Sequence, residues 1–230
     1  MDSTPPEVSV DLTTELRWFF AGQLPEAVHS WFTHGGAIGL VEHRCDSYRF
    51  DGQADIGVKR RFGTVLELKL RQGPPEPIFI GPGVDGWLEI WQRWTPADAQ
   101  VILNENATWV DVEKTVIKRR LGCTGQELPL SEETRAMTGQ GCDVEIATVS
   151  LGGRTGWTFA FAAFGLADSQ RASLELASEI VLRSAPRQLQ LQLRSADSCG
   201  YPEWLARSER AHARRRSIED TVRLQPDIAG

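Results

Sequence analysis

From Thr13 to Gly165 the chain alternates apolar and polar residues in short runs, the period-two pattern of strands with unlike faces. Between Thr13 and Phe20, Leu16, Trp18 and Phe20 share one face while Thr13, Glu15 and Arg17 share the other. The same reading gives strands at Leu40 to Phe50, Ala54 to Phe62, Thr64 to Arg71, Gly86 to Trp94, Thr108 to Leu121, Gly141 to Leu151 and Thr155 to Phe164. Ile56 and Val58 oppose Asp55, Lys59 and Arg61; Leu66, Leu68 and Leu70 oppose Glu67, Lys69 and Arg71. Phe62-Gly63-Thr64 and Gly152-Gly153-Arg154 predict tight hairpins.

Three segments carry helical spacing instead. Leu24 to Thr33 places Leu24, Val28, Trp31 and Phe32 on one side, and Pro96 to Leu103 is a shorter candidate. Asp168 or Ser169 is placed to cap a helix running to Leu182, with Pro186 beyond its end. Gln72 to Val84, with four prolines, reads as a loop. Charged alternation continues on both sides of it, so one domain is expected over residues 13–200. Residues 1–12 form an N-terminal extension, and 201–230 an Arg-rich polar tail. Where that tail begins, Gly200 to Leu205 is an apolar knot expected to dock on the barrel, with a partner-binding segment as the alternative. The arginines beyond it suit solvent, with contact to a protein or RNA as the sharper alternative.

Both signs of charge recur at alternate strand positions, as in Glu15 and Arg17, in Glu67, Lys69 and Arg71, and in Asp143 and Glu145. A sandwich would bury the leucines and leave these charges in water. A closed barrel with its apolar face outward under helices would gather them in a solvated interior. The pattern fits both.

The order of segments resembles the CYTH superfamily, the triphosphate tunnel metalloenzymes. Thr13-Thr14-Glu15-Leu16-Arg17 is similar to the family's opening Glu-x-Glu-x-Lys, and Asp46-Ser47-Tyr48 to its second-strand motif. Gly57 to Arg61 and Leu66 to Arg71 resemble its basic hairpin; Lys118-Arg119-Arg120 matches Lys-x-Arg. Asp143 falls where the family often carries an acid before its last hairpin. The resemblance spans about Thr13 to Gly165. It implies an α+β fold, an antiparallel eight-stranded closed β-barrel with a few covering helices. It also implies phosphate contacts from Arg17, Lys59, Arg61, Lys69, Arg71, Lys118 and Arg120. Metal ligands would come from Glu15, Glu113, Asp143 and Glu145, holding Mg2+ or Mn2+.

The sequence departs from the family at three acids, because Thr13, Ala160 and Ala162 stand where carboxylates are expected. The expectation is therefore binding of a triphosphate, polyphosphate or related anion, with metal-dependent hydrolysis reduced or lost. Two alternatives stay open. One is an active triphosphatase with an altered acid set that includes Glu67; the other is a scaffold using the fold without a ligand.

Composition narrows the classes. A net charge of −6 argues against a nucleic-acid coat, so no specific DNA binding is expected. No run approaches the ~18 apolar residues of a membrane span, and the opening residues lack a signal-peptide pattern. A soluble, cytoplasmic protein is expected. Cys45, Cys123, Cys142 and Cys199 have no metal or dithiol spacing and read as reduced, mostly buried thiols. Gly81-Pro82-Gly83-Val84-Asp85-Gly86 spells a nucleotide fingerprint but precedes a strand, so it reads as a turn. His29, His34 and His43 lack the spacing of a helical metal pair. Trp87, Trp91 and Trp94 are expected to pack in the core, with an aromatic wall for a ligand as the alternative.

Overall fold

The computed structural model describes residues 8–34, 41–50, 52–61, 63, 65–96, 108–131 and 139–211. Ten strands run through them: β1 (Val8–Ala21), β2 (Val41–Arg49), β3 (Ile56–Arg61), β4 (Val65–Arg71), β5 (Glu76–Phe79), β6 (Asp85–Pro96), β7 (Trp109–Gly122), β8 (Glu127–Leu128), β9 (Gly141–Leu151) and β10 (Arg154–Phe164). Eight of them close a barrel in the order β1-β10-β9-β7-β2-β3-β4-β6, and β6 pairs back onto β1. Every pairing is antiparallel. The short β5 and β8 add to the outer edges of β6 and β7. The barrel expected from the resemblance is therefore the observed architecture.

Four helices accompany it: α1 (Glu26–His34), α2 (Ala167–Arg183), α3 (Arg187–Gln192) and α4 (residues 201–211). No helix among the described residues is long and apolar enough to cross a membrane.

The apolar faces of the strands point outward. Leu16 and Trp18 of β1, Val144 and Ile146 of β9, and Phe159 and Phe161 of β10 form one buried cluster with Phe32 of α1 and Leu174 and Val181 of α2. Trp18 stacks on Phe159 with ring centroids 6.2 Å apart. Rings and branched side chains of this size dominate burial energetics, so the core lies between the barrel wall and its helices. Alternation then obliges the intervening residues to face the barrel axis.

Several boundaries differ from the sequence reading. β1 starts at Val8, so residues assigned to the N-terminal extension pair with β6 from Val8↔Pro96 onward. β5 lies within the proline-rich loop, where Pro77 sits on an edge strand and needs no ladder donor. The first helical residue of α2 is Ala167, and its cap position, Leu166, makes no side-chain cap bond. Ser169 instead donates its hydroxyl to the Leu166 carbonyl. Pro96 closes β6, and the rest of the proposed helix to Leu103 lies outside the described residues, as does the tail beyond residue 211. All four thiols are free, but Cys45 and Cys123 are exposed, so only Cys142 and Cys199 are buried as expected. The β9–β10 hairpin turns on Gly152 (φ 55°) and Gly153 (φ 76°), the two consecutive positive values that such a turn requires.

Candidate functional site

The inward faces enclose a cavity of about 500 Å³, within the ~300–1,000 Å³ range of small-molecule sites. One end is stopped. The chain leaves Ser195–Asp197 and brings Gly200, Tyr201 and Pro202 into the barrel as a floor, where they join the cavity lining. Tyr201 stacks on Tyr48 at 5.4 Å and meets Phe19 edge-on at 5.0 Å, while Trp204 stacks on Phe19 at 4.8 Å. Leu205 joins Tyr48, Val112, Val149 and Leu151 in a second apolar cluster. Gly57 faces this segment on β3. A methyl group there would stand 3.2 Å from the Pro202 ring carbon Cγ, so a glycine leaves room for that ring. The expected docking of the Gly200 to Leu205 knot is thus what stops the barrel.

Among the described residues, nine cations line the cavity: Arg17, Arg44, Lys59, Arg61, Lys69, Arg93, Lys114, Lys118 and Arg120. Six carboxylates face them, from Asp11, Glu15, Glu42, Glu67, Asp143 and Glu145. Exposure falls from mouth to floor. The Lys118 side chain is 31% exposed, Lys59 12% and Lys114 2%.

Asp46 anchors the deep end. It is wholly buried and accepts from Lys114 at 2.9 Å, with Arg44 at 3.4 Å and Lys59 at 3.5 Å. Burial opposes its ionisation, but Lys59, Lys114 and Arg44 outweigh that and hold its pKa well below the usual carboxylate range. Lys114 also donates to the Tyr48 hydroxyl at 2.6 Å and lies 3.7 Å from the centre of the Tyr201 ring. Burial, with Lys59 nearby, drives its pKa well below that of an ordinary lysine. Burial and Arg61 likewise lower Lys59 to about 8, against the pull of Glu67 at 3.0 Å.

Midway up the wall, Glu145 bridges Arg17 at 2.8 Å and Lys118 at 3.7 Å. Burial raises its pKa and those cations lower it further, so it stays ionised. Glu15 takes Lys69 at 2.5 Å; burial works against it, and Lys69 and Arg17 bring its pKa below normal. Glu67 faces Arg61 at 3.3 Å. Asp143 receives Arg120 through two bonds of 2.6 and 3.0 Å, the fork geometry of a guanidinium on a carboxylate.

Nine of the eleven residues chosen from the resemblance therefore meet in one cavity. Two do not. Glu113 is exposed on the outer face of β7, because Lys114, Lys118 and Arg120 occupy the inward parity. Arg71 has inward parity but stays outside the cavity lining, bonded to Glu89 at 2.8 Å and to the Ala54 carbonyl. The sequence reading missed Arg44, Arg93 and Lys114 as site cations, although Glu42, Arg44, Asp46 and Tyr48 alternate in the same way as the chosen strands. Trp91 is buried yet lines the cavity, donating its indole N–H to Glu89 at 3.2 Å. The ring thus belongs to the barrel interior rather than to packing under a helix.

A Mg2+ or Mn2+ centre needs clustered oxygen donors free to leave their partners. Among the described residues, no group of three or more His, Cys, Asp or Glu stands close enough to hold a metal. Ala160 and Ala162 occupy the inward positions of β10 beside Arg17 and Glu15. Glu15, Glu145 and Asp143 each hold an Arg or Lys. This donor set does not fit a two-metal centre. No family model matches the chain, and no curated protein matches it.

Proposed function

We propose that the barrel interior binds a phosphorylated anion, such as a triphosphate or polyphosphate. One observation carries this reading. Nine basic side chains line one cavity against six carboxylates, with the buried Asp46 beneath them a seventh, so basic groups outnumber acids nine to seven within a chain of net charge −6. Guanidinium forks and ammonium groups in a partly dry enclosure match phosphate oxygens in charge and geometry. The floor formed by Tyr201 and Pro202 leaves entry from the opposite mouth, past Lys118 and Arg61.

On this reading the carboxylates are internal counter-ions. Each holds its cation in place until ligand oxygens take over part of that role, which keeps the empty cavity from carrying unpaired buried charge. The activity is binding rather than metal-dependent hydrolysis, since the donor set suits cations of the protein better than a metal.

Calorimetric titration with inorganic triphosphate, with and without Mg2+, tests the reading. One triphosphate should bind per chain at low salt, and affinity should fall as added salt screens the more exposed cations at the mouth. Absence of binding at low salt would remove the proposal. Metal-dependent phosphate release that vanishes in Glu15→Gln would replace it with a hydrolase.

A further inference from the structure

The chain contains four lysines, Lys59, Lys69, Lys114 and Lys118, and all four line the same cavity. Arginine binds phosphate at least as well and does not deprotonate, whereas only lysine offers an amine. A cavity that merely attracted phosphate would have no need to collect every lysine.

The four are not equivalent. Lys69 and Lys118 are the more accessible, with side chains 29% and 31% exposed. Lys114 is fully engaged at the floor by Asp46, the Tyr48 hydroxyl and the Tyr201 ring. Lys59 is intermediate, its side chain 12% exposed. Its Nζ is 3.0 Å from Glu67 and 3.5 Å from Asp46, and Arg61 lies two residues along the same strand.

We propose that Lys59 captures a phosphorylated aldehyde or ketone as a protonated imine, with the phosphate anchored by the neighbouring arginines. The inference rests on the anion-binding reading, because those arginines supply the anchor. Burial and the adjacent Arg61 bring the Lys59 pKa to about 8. At pH 7 roughly one amine in ten is then neutral, against about one in 2,500 for an ordinary lysine. A desolvated lysine beside another cation is a known way to make an amine nucleophilic.

The step balances without an oxidant or reductant. The neutral Nζ lone pair adds to the carbonyl carbon, and the C=O π electrons move to oxygen. A nitrogen proton passes to Glu67, the nearest carboxylate. Glu67 hands that proton to the alkoxide oxygen, and a second proton, the one Lys59 released to solvent on becoming neutral, returns from water, so the oxygen leaves as water as the C=N bond forms. The iminium nitrogen keeps its positive charge, so Glu67 and Asp46 retain a cation between them and no buried ion pair is lost. Anchoring the phosphate holds the carbonyl near the amine and raises its effective concentration.

Pyridoxal 5′-phosphate is a suitable probe. The full-length protein is treated with it, reduced with borohydride and mapped by peptide mass spectrometry, in parallel with phosphate-free pyridoxal and with triphosphate present as competitor. The expected result is one adduct per chain at Lys59, at least tenfold slower labelling by pyridoxal, and protection by triphosphate. Lys59→Arg keeps the charge and should abolish the adduct, with its circular dichroism spectrum reporting the fold. Labelling spread over Lys69, Lys118 or the terminal amine, or labelling that triphosphate does not suppress, overturns the inference. If triphosphate binds by calorimetry but no Lys59 adduct forms, the imine fails and the anion-binding reading stands. If neither occurs, both fail.

Discussion

Replacing Asp46 by asparagine perturbs the cavity where its charges are most tightly held. Asp46 is 0% exposed and lies within 3.5 Å of cations on Lys114, Arg44 and Lys59. Asparagine keeps the shape and one acceptor but removes the negative charge. Removing one member of a buried ion pair costs about 3–5 kcal/mol, and the near-isosteric change belongs at the lower end. A loss of about 3 kcal/mol lowers the melting temperature of a chain this long by roughly 6–12 °C. The same variant should bind triphosphate more tightly, because the ligand supplies the charge that Asp46 gave. A ligand at 100 times its dissociation constant stabilises the fold by about 2.7 kcal/mol. At equal ligand concentration the variant should therefore regain more stability than the wild type does. Thermal and chemical unfolding with and without triphosphate measure both effects. A loss under about 1 kcal/mol, or a triphosphate-induced rise no larger than the wild type's, would refute the view that Asp46 is a counter-ion displaced in function by the ligand.

Three further outcomes follow from the same geometry. Arg61→Ala should weaken triphosphate by about 1.5–3 kcal/mol, the worth of a charged hydrogen bond, or roughly 10- to 150-fold in calorimetry; Arg183→Ala, on the exposed face of α2, should change nothing. Triphosphate affinity should fall as the pH rises through about 8, where Lys59 gives up its proton. Lys59→Arg should flatten that part of the profile, and an identical profile in the variant would contradict the assignment. Asp46 and Glu145 have folded-state pKa values below their unfolded values. Their contribution is therefore complete above about pH 4.5, using unfolded values of about 3.9 and 4.3, and is lost as the pH falls further. Equal stability at pH 3 and pH 6 in chemical unfolding would rule this out.

Alternation made the strands legible, since β9 and β10 end within a residue of their expected limits. It did not say which face pointed inward, because a period of two separates the faces without choosing between them. The segment order suggested the barrel, and the closure of β6 onto β1 decides which face is inward. Parity alone excludes Glu113 once Lys118 is placed inside, five residues along the same strand. Arg71 failed for a different reason. Its face is inward, but depth along the barrel depends on strand tilt and pairing, and Glu89 holds it away from the cavity lining. Arg44 and Lys114 were readable from the same alternation as Lys59. Tyr201 was not readable as a floor, because nothing local to it specifies docking against Tyr48, which lies more than 150 positions earlier in the chain. The four-residue β5 was hidden by prolines that an edge strand tolerates.

In the proposed function the inward cations form one receptor for phosphate oxygens. A crystal structure grown with inorganic triphosphate tests this most directly. Phosphate density is expected inside the barrel above Tyr201, within hydrogen-bonding distance of Arg17, Lys59 and Arg61, with Glu145 or Glu67 drawn away from its present partners. Triphosphate bound only outside the barrel, with every internal ion pair intact, would contradict it.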